Sequence, residues 1–518
     1  MSESKKLRLL VSRFNSSMHV DAIRVLKDRG YEIVYWERSR GTPTKFDQTE
    51  FPDTILHSGL DARMGIPAPG VDVSSFEPLS KEFIHAMHEC ESQVLTMMNV
   101  EDLRERVSLI KRKHIYYKYL KYWRGVLASL KIDAIISGDI PHVSFQYVLY
   151  CVAQELGVPF IMCRMAKVGS RYVVIDDFRD YKALREEAHG LRGGAHEVRE
   201  LDENIRAYYN KHAIKNSGDA TPYYVKDFMR KGDFRRHDVP SLKGVWKSLK
   251  QLSFFRLVYS HCKDIVHYYF TIHRFGDIEG MYERGYVFSW YDYRWDKIKK
   301  RYQKKYQELE KEPDFTKKYI YFALHNQPEC STSAMGGLFV NQFLAIDMLS
   351  AALPKGWELY IKENPGQWIM PRTHTGRFPG FYEDIANLKN VQLVPQKTST
   401  FELIKNSQAV ASITSAACLE GVLRGKPALL FGYVWFMHCE GVLRVQNFSE
   451  CREAVEKIKN GLKPNSQEVL NYFIALDKVS FTSFHNTRAK TGFGLNMSEE
   501  ENSRGLADNF EKELGKYI

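Results

Sequence analysis

The stretch Ala409-Val410-Ala411-Ser412-Ile413-Thr414-Ser415-Ala416-Ala417-Cys418-Leu419-Glu420-Gly421-Val422-Leu423-Arg424-Gly425-Lys426-Pro427-Ala428-Leu429-Leu430-Phe431-Gly432 decides the fold. Its apolar run to Ile413 is short enough for a buried strand and stops at two hydroxyl residues. A helix from Ala416 to Arg424 follows, stopped by Gly425, and Pro427 precedes a second apolar strand. Upstream, Thr398-Ser399-Thr400 caps a short helix, Phe401 to Ile404. The result is a β-α-β unit whose strand-to-helix turn offers hydroxyls and free backbone N–H groups to an anion. Thr414 and Ser415 are the candidate phosphate ligands there, and capping alone stays open as a reading of both. Glu420, about a turn and a half further along, is within reach of the ribose of a nucleotide whose phosphate sits on the turn. A solvated helix glutamate is the plain alternative.

Pro395-Gln396, Thr400 to Ile404, Ser412 to Gly421, and Gly425-Lys426-Pro427 to Gly432 together resemble the C-terminal domain of bacterial capsule and surface-polysaccharide biosynthesis proteins. The resemblance runs from about Tyr319 to Gly432. That family is similar to glycosyltransferases of the double-Rossmann (GT-B) type, including enzymes that transfer 3-deoxy-manno-octulosonic acid (Kdo) from its CMP derivative. What the resemblance implies is an α/β fold of two Rossmann-like domains facing a cleft, a nucleotide-sugar donor, and a glycan or lipid-linked acceptor.

A chain of 518 residues exceeds one ordinary core, and 44% hydrophobic residues suffice to fill two or three. The formal charge of +11 favours anionic partners. No nucleic-acid module is recognisable, so nucleic acid is not among the expected partners. The eight cysteines show no CxxC pair, which argues against a zinc site and a disulfide framework. Leu7 to Val11 is too short for the apolar core of a signal peptide, and no window of about eighteen residues is apolar throughout. The expected location is cytoplasmic, with peripheral contact at the inner face of the membrane allowed.

Taken in order, residues 1–178 read as an N-terminal Rossmann-like acceptor domain. A strand from Leu7 to Phe14, a helix from His19 to Arg29 and a strand from Tyr31 to Trp36 open it, without the GxGxxG of dinucleotide enzymes. Residues 42–70 read as a loop and residues 76–130 as charged helix. Ile132 to Ser137 is a buried strand followed by Asp139 and His142, which stand where open α/β sheets bind ligands and are candidate bases for an acceptor hydroxyl. A turn carboxylate and a packed loop histidine are the plain alternatives.

Residues 179–316 lose the α/β alternation and interleave Lys and Arg with aromatics, as in Lys297 to Lys305. They read as a helical insertion or linker, first a solvated face, then a surface that lies on anionic membrane or grips an acidic glycan, and last a platform for stacked nucleic-acid bases. Residues 317–445 form the C-terminal Rossmann-like nucleotide-sugar domain. Its strand Lys318 to Leu324 ends at His325-Asn326-Gln327-Pro328-Glu329, a helix from Phe339 to Leu353 follows, and the strand Trp357 to Ile361 ends at Lys362-Glu363-Asn364-Pro365. Gln327, Lys362 and Asn364 join the candidate donor-binding set, and Glu329 joins Asp139 and His142 as candidate catalytic groups. Related transferases often carry His-Pro where this chain has Asn364-Pro365. Phosphate charge then falls to Lys362, Arg372 or the helix terminus at Ser415. Residues 446–518 read as helices and a polar tail, with the terminal helices crossing back to the first domain as the resemblance implies.

The expected function is metal-independent glycosyl transfer from a CMP- or UDP-linked sugar, with no cofactor, in capsule or surface-polysaccharide biosynthesis. An NDP-sugar 2-epimerase is the enzymatic alternative. A non-catalytic component of a polysaccharide assembly or export complex is the other.

Overall fold

A computed structural model describes residues 7–14, 16–38, 48–102, 107–213, 290–369, 373–485 and 487–517. It contains two sheets. The first is built from β1 (Arg8–Ser12), β2 (Glu32–Arg38), β3 (Ile55–Ser58), β4 (Ala134–Ser137), β5 (Phe160–Met165) and β6 (Arg171–Ile175). The second is built from β7 (Tyr319–Ala323), β8 (Glu358–Lys362), β9 (Val391–Leu393), β10 (Ala409–Ser412), β11 (Ala428–Leu430) and β12 (Val442–Arg444). A last strand, β13 (Phe481–Thr482), returns to the first sheet and pairs antiparallel with β6.

The first sheet has the order β13-β6-β5-β4-β1-β2-β3 and the second β12-β11-β10-β7-β8-β9. All strands of the second sheet run parallel, as do β1 to β5 of the first. Parallel strands need helical crossovers over both faces, which explains why β4, β7 and β10 are buried at every position. In each sheet the strand order reverses once, between β1 and β4 and between β7 and β10. Two Rossmann-like domains are thus present, each with a crevice where side chains at strand ends converge.

Local signals set the element ends. Ser16 caps helix Ser17–Asp28 through the His19 N–H at 3.2 Å, and Gly425 closes the helix after β10 in the left-handed region at φ 74°. Gly138, just past β4, is required by close approach, because a Cβ there would lie 2.6 Å from the carbonyl oxygen of Arg13.

Three expectations change. Residues 42–70 contain β3 and helix Gly59–Met64 as well as loop, because the short edge strand Ile55–Ser58 finds its hydrogen bonds on β2 rather than in a local pattern. The helix expected from Phe339 begins at Gln342, after a 3-10 turn, since the Asn341 side chain caps it there. The polar tail holds helix Glu499–Leu514, whose inner face packs on helix Ser17–Asp28. A capping box of Ser498 and Glu501 starts that helix, and Phe510 meets Phe14 at 5.4 Å between ring centres. Arg29 adds ion pairs of 2.6 Å to Asp508 and Glu511. Helix Glu499–Leu514 and β13 thus pack on elements of the first sheet's domain. Of the expected insertion, helices Lys182–Gly190, Glu203–Ala213 and Trp290–Leu309 are seen, and residues 214–289 lie outside the described residues.

Candidate functional site

Each crevice is wired by hydrogen bonds between the residues that follow its two central strands. In the second domain His325 follows β7 and Thr414 follows β10. The Thr414 backbone N–H donates to His325 Nε2 at 3.0 Å, and Thr414 Oγ1 donates to the Ser331 carbonyl at 2.8 Å. Because Nε2 accepts, the ring proton sits on Nδ1, which faces Glu329 Oε1 at 3.5 Å. Burial pushes the Glu329 carboxyl up, but His325 and then Lys167 outweigh it and hold the group below the usual carboxylate range. Glu329 keeps 38% of its side-chain surface exposed, so it is ionised and reachable.

Ser415 caps helix Ala416–Leu423, its Oγ accepting the Ala417 N–H at 3.2 Å. Capping and anion binding are compatible at this turn, since one side-chain oxygen serves one N–H and leaves others for a ligand. Glu420 pairs with Arg424 at 3.4 Å, and burial, partly opposed by Arg424, raises its carboxyl to about 7. Lys362 donates to the Thr398 carbonyl at 2.6 Å and to Thr400 Oγ1 at 2.7 Å, and burial lowers its ammonium to about 8. Thr400 in turn bonds Tyr321, whose hydroxyl feels the charge of Glu420. Lys362 and Glu420 therefore belong to one neighbourhood behind the turn.

Gln327 and Asn364 make hydrogen bonds within the walls of this crevice. The Gln327 amide oxygen accepts buried bonds from Gln342 at 2.8 Å and Arg377 at 2.8 Å, and its nitrogen donates a part-buried bond to the Val340 carbonyl. Both acceptor positions of its amide oxygen and one of its two N–H groups are engaged in this frame. Asn364 Oδ1 accepts the Gly366 N–H at 2.8 Å in a local turn. Between them lies a pair that the sequence reading missed. Glu363 and Arg377, both with fully buried side chains, join by two bonds of 2.9 Å, and Tyr382 donates to the same carboxylate. Arg377 also donates to the His325 carbonyl at 2.9 Å, fixing the strand end that carries the histidine. Arg372 lies outside the described residues.

In the first domain Arg13 follows β1, and Asp139 and His142 follow β4. Asp139 accepts from Arg164 at 2.9 Å and stands 3.9 Å from Arg13. Burial would raise its carboxyl, yet Arg164 and then Arg13 hold it far below the usual range. His142 makes contacts of 3.0 Å to the Ile140 carbonyl and 3.4 Å to Arg13, and burial followed by the Arg13 charge lowers it to about 3. Its ring is neutral at ordinary pH, with the acceptor nitrogen turned to Arg13.

The two rims meet. Arg164 reaches Met335 Sδ of the second domain at 3.4 Å, and helix His88–Glu101 contacts the turn Cys330–Ser333. The Cys330 thiol, raised by burial, also feels Arg164, Asp139, Arg13 and Glu329, so Asp139 and Glu329 face one seam, and His142 adjoins it through Arg13 at 3.4 Å. Arg13, Arg164 and His325 were absent from the sequence candidates. The signal that singled out Asp139, a polar residue just past a buried strand, applies equally to Arg13 and His325.

One parallel sheet and one sheet whose five central and edge strands β1 to β5 run parallel, each with a polar crevice at its reversal point, define a double-Rossmann α/β protein. Within that class, residues 282–473 match the family model described as capsule polysaccharide biosynthesis protein, the family that the β-α-β motif resembles. Among solved structures, the β-Kdo 2,4 transferase KpsC of Thermosulfurimonas dismutans is 12% identical, covering 67% of this chain and 79% of its own, with a TM-score of 0.30. A UDP-GlcNAc 2-epimerase from Methanocaldococcus jannaschii is 10% identical, covering 90% of this chain and 97% of its own, with a TM-score of 0.23. A UDP-glucosyltransferase from Polygonum tinctorium is 10% identical, covering 98% and 100%, with a TM-score of 0.22. TM-scores this low leave the fold class resting on the sheets themselves. No curated protein matches the chain.

Proposed function

We propose that this protein is a glycosyltransferase of capsule or surface-polysaccharide biosynthesis that uses a nucleotide-activated sugar. The observation that carries the reading is the meeting of two crevices, Arg13 with His142 on one side and His325 with Thr414 on the other, each at a reversal of strand order where α/β sheets bind ligands. The family match over residues 282–473 supports the pathway. It also falls on the half that carries the helix terminus for a donor phosphate.

In this reading the donor phosphates lie against the Ser415 hydroxyl and the amino terminus of helix Ala416–Leu423, with Thr414 held beneath them by His325 and Ser331, Lys362 behind and Glu420 toward the ribose. The departing nucleotide gains negative charge as the glycosidic bond breaks, and fixed N–H groups stabilise that charge without reorganising. Glu329 takes the acceptor hydroxyl proton, being ionised, reachable and oriented by His325. Asp139 holds Arg164 rather than a proton, and His142 and Arg13 bind the acceptor.

A thermal-shift screen of CMP, UDP, GDP and ADP, with Ser415→Ala as control, tests the donor site. One nucleotide should stabilise the wild type selectively, with the effect lost in the variant. Conversion of a UDP-sugar without any acceptor would replace transfer by epimerisation. Failure of every nucleotide to bind would overturn the reading in favour of a non-catalytic component.

A further inference from the structure

Helix Leu109–Ser129 begins with two largely exposed aliphatic side chains: Leu109 is 61% exposed and Ile110 82% exposed. The buried residues of this helix start only at Ile115, so its first turn is not core-facing. Just beneath, Val107 packs on Met64 with Leu60 alongside, which anchors the turn carrying Ile66, itself 45% exposed. Val107 and Met64 thus tie the start of this helix to the turn that carries Ile66.

Charge surrounds it with one sign. The helix sequence LIKRKHIYYKYLKYWRGVLAS contains no Asp or Glu. Arg112 pairs with Asp102 at 2.9 Å and Lys113 with Glu91 at 2.9 Å, whereas Lys111, Lys118 and Lys121 have no ion pair among the described residues. An exposed pair of aliphatics flanked by unpaired lysines is complementary to an anionic lipid surface, where the chains enter the headgroup boundary and the ammonium groups meet phosphates.

The direction of the tip agrees. Trp123 Nε1 donates to the Phe145 carbonyl at 2.8 Å, and Phe145 lies in the first turn of helix Ser144–Leu156, which starts beyond the carboxyl end of β4. Residues 109–122 therefore extend past that edge of the sheet, by about 21 Å at 1.5 Å per residue. They project on the side where Asp139 and His142 stand.

We infer that the tip formed by Leu109, Ile110 and Lys111, with Lys118 and Ile66 on the neighbouring surface, docks this protein on an anionic phospholipid bilayer. This does not rest on the identity of the donor. The full chain is sedimented with vesicles of phosphatidylcholine alone and of phosphatidylcholine with phosphatidylglycerol, at low and high salt. The wild type is expected to bind only the anionic vesicles, more weakly in salt. The double variant Leu109→Ser with Ile110→Ser should partition at least tenfold less, and Lys111→Gln with Lys118→Gln several-fold less with a flatter salt dependence. Unchanged melting temperatures and unchanged nucleotide shifts confirm that the variants fold. Absence of wild-type binding would overturn the inference, as would equal binding by the double variant, which would move lipid contact elsewhere on the chain. So would a wild-type dimer in light scattering that the double variant abolishes, because the tip would then seat a second copy.

Discussion

His325 Nε2 accepts the backbone N–H of Thr414 at 3.0 Å, joining the residues that follow β7 and β10 across the point where the strand order of the second sheet reverses. The same imidazole presents Nδ1 to Glu329. Replacing it with Ala leaves a buried N–H without an acceptor and Glu329 without its partner. The loss should be about 1–3 kcal/mol in chemical denaturation, with His325→Gln milder. Glu329 should then titrate higher, which carboxyl NMR would report.

Glu329→Gln keeps the shape of the group and removes its basicity. Turnover with an identified donor and acceptor should fall about 10²–10⁴-fold while the nucleotide thermal shift stays. A loss of nucleotide binding instead would assign Glu329 to the donor.

Glu420 titrates at about 7 in the folded chain against 4.5 in an ordinary carboxyl, and burial is the cause. A raised carboxyl contributes stability that is fully present below the unfolded value and is lost as pH rises through about 7, here about 3 kcal/mol at most. Glu420→Gln should remove that slope from stability measured between pH 4.5 and 7. If the carboxylate receives ribose hydroxyls, nucleotide affinity in the wild type should rise with pH through the same window, and the variant should be flat.

Arg377→Leu should cost about 3–5 kcal/mol, because it leaves the Glu363 carboxylate buried and uncompensated. Changing both partners to apolar residues should recover part of that loss. The urea midpoints of the single and double variants decide it.

Gly138→Ala should perturb the first crevice without touching any charged group, since its Cβ would meet backbone rather than a flexible side chain. We expect a lower melting temperature and weaker acceptor use with donor binding retained. An unchanged protein would show that the β1 and β4 ends move freely apart.

Much of the architecture was legible along the chain. Buried runs such as Ile132 to Ser137 and Ala409 to Ile413 announce parallel strands because a strand covered by helices on both faces has no polar side. Gly425 with Pro427 and the hydroxyls at Thr414 and Ser415 mark helix ends because backbone groups there need partners or freedom. The edge strand Ile55–Ser58 was illegible, as its hydrogen bonds come from β2 and not from any local pattern. The helix at Glu499–Leu514 hid within polar composition because only a narrow stripe of it packs, on helix Ser17–Asp28.

The sequence by itself determined the two α/β halves, the turn at Ser415 and the polar strand ends, because these follow from periodicity, capping and the demands of buried backbone. Only the tertiary structure decided what each polar group does. Gln327 and Asn364 turned out to brace loops, Asp139 to hold Arg164, and Glu363 to bury its charge against Arg377. A side chain's protonation and hydrogen-bond capacity depend on partners far away in the chain, and the fold alone brings Arg13 to His142 and His325 to Thr414.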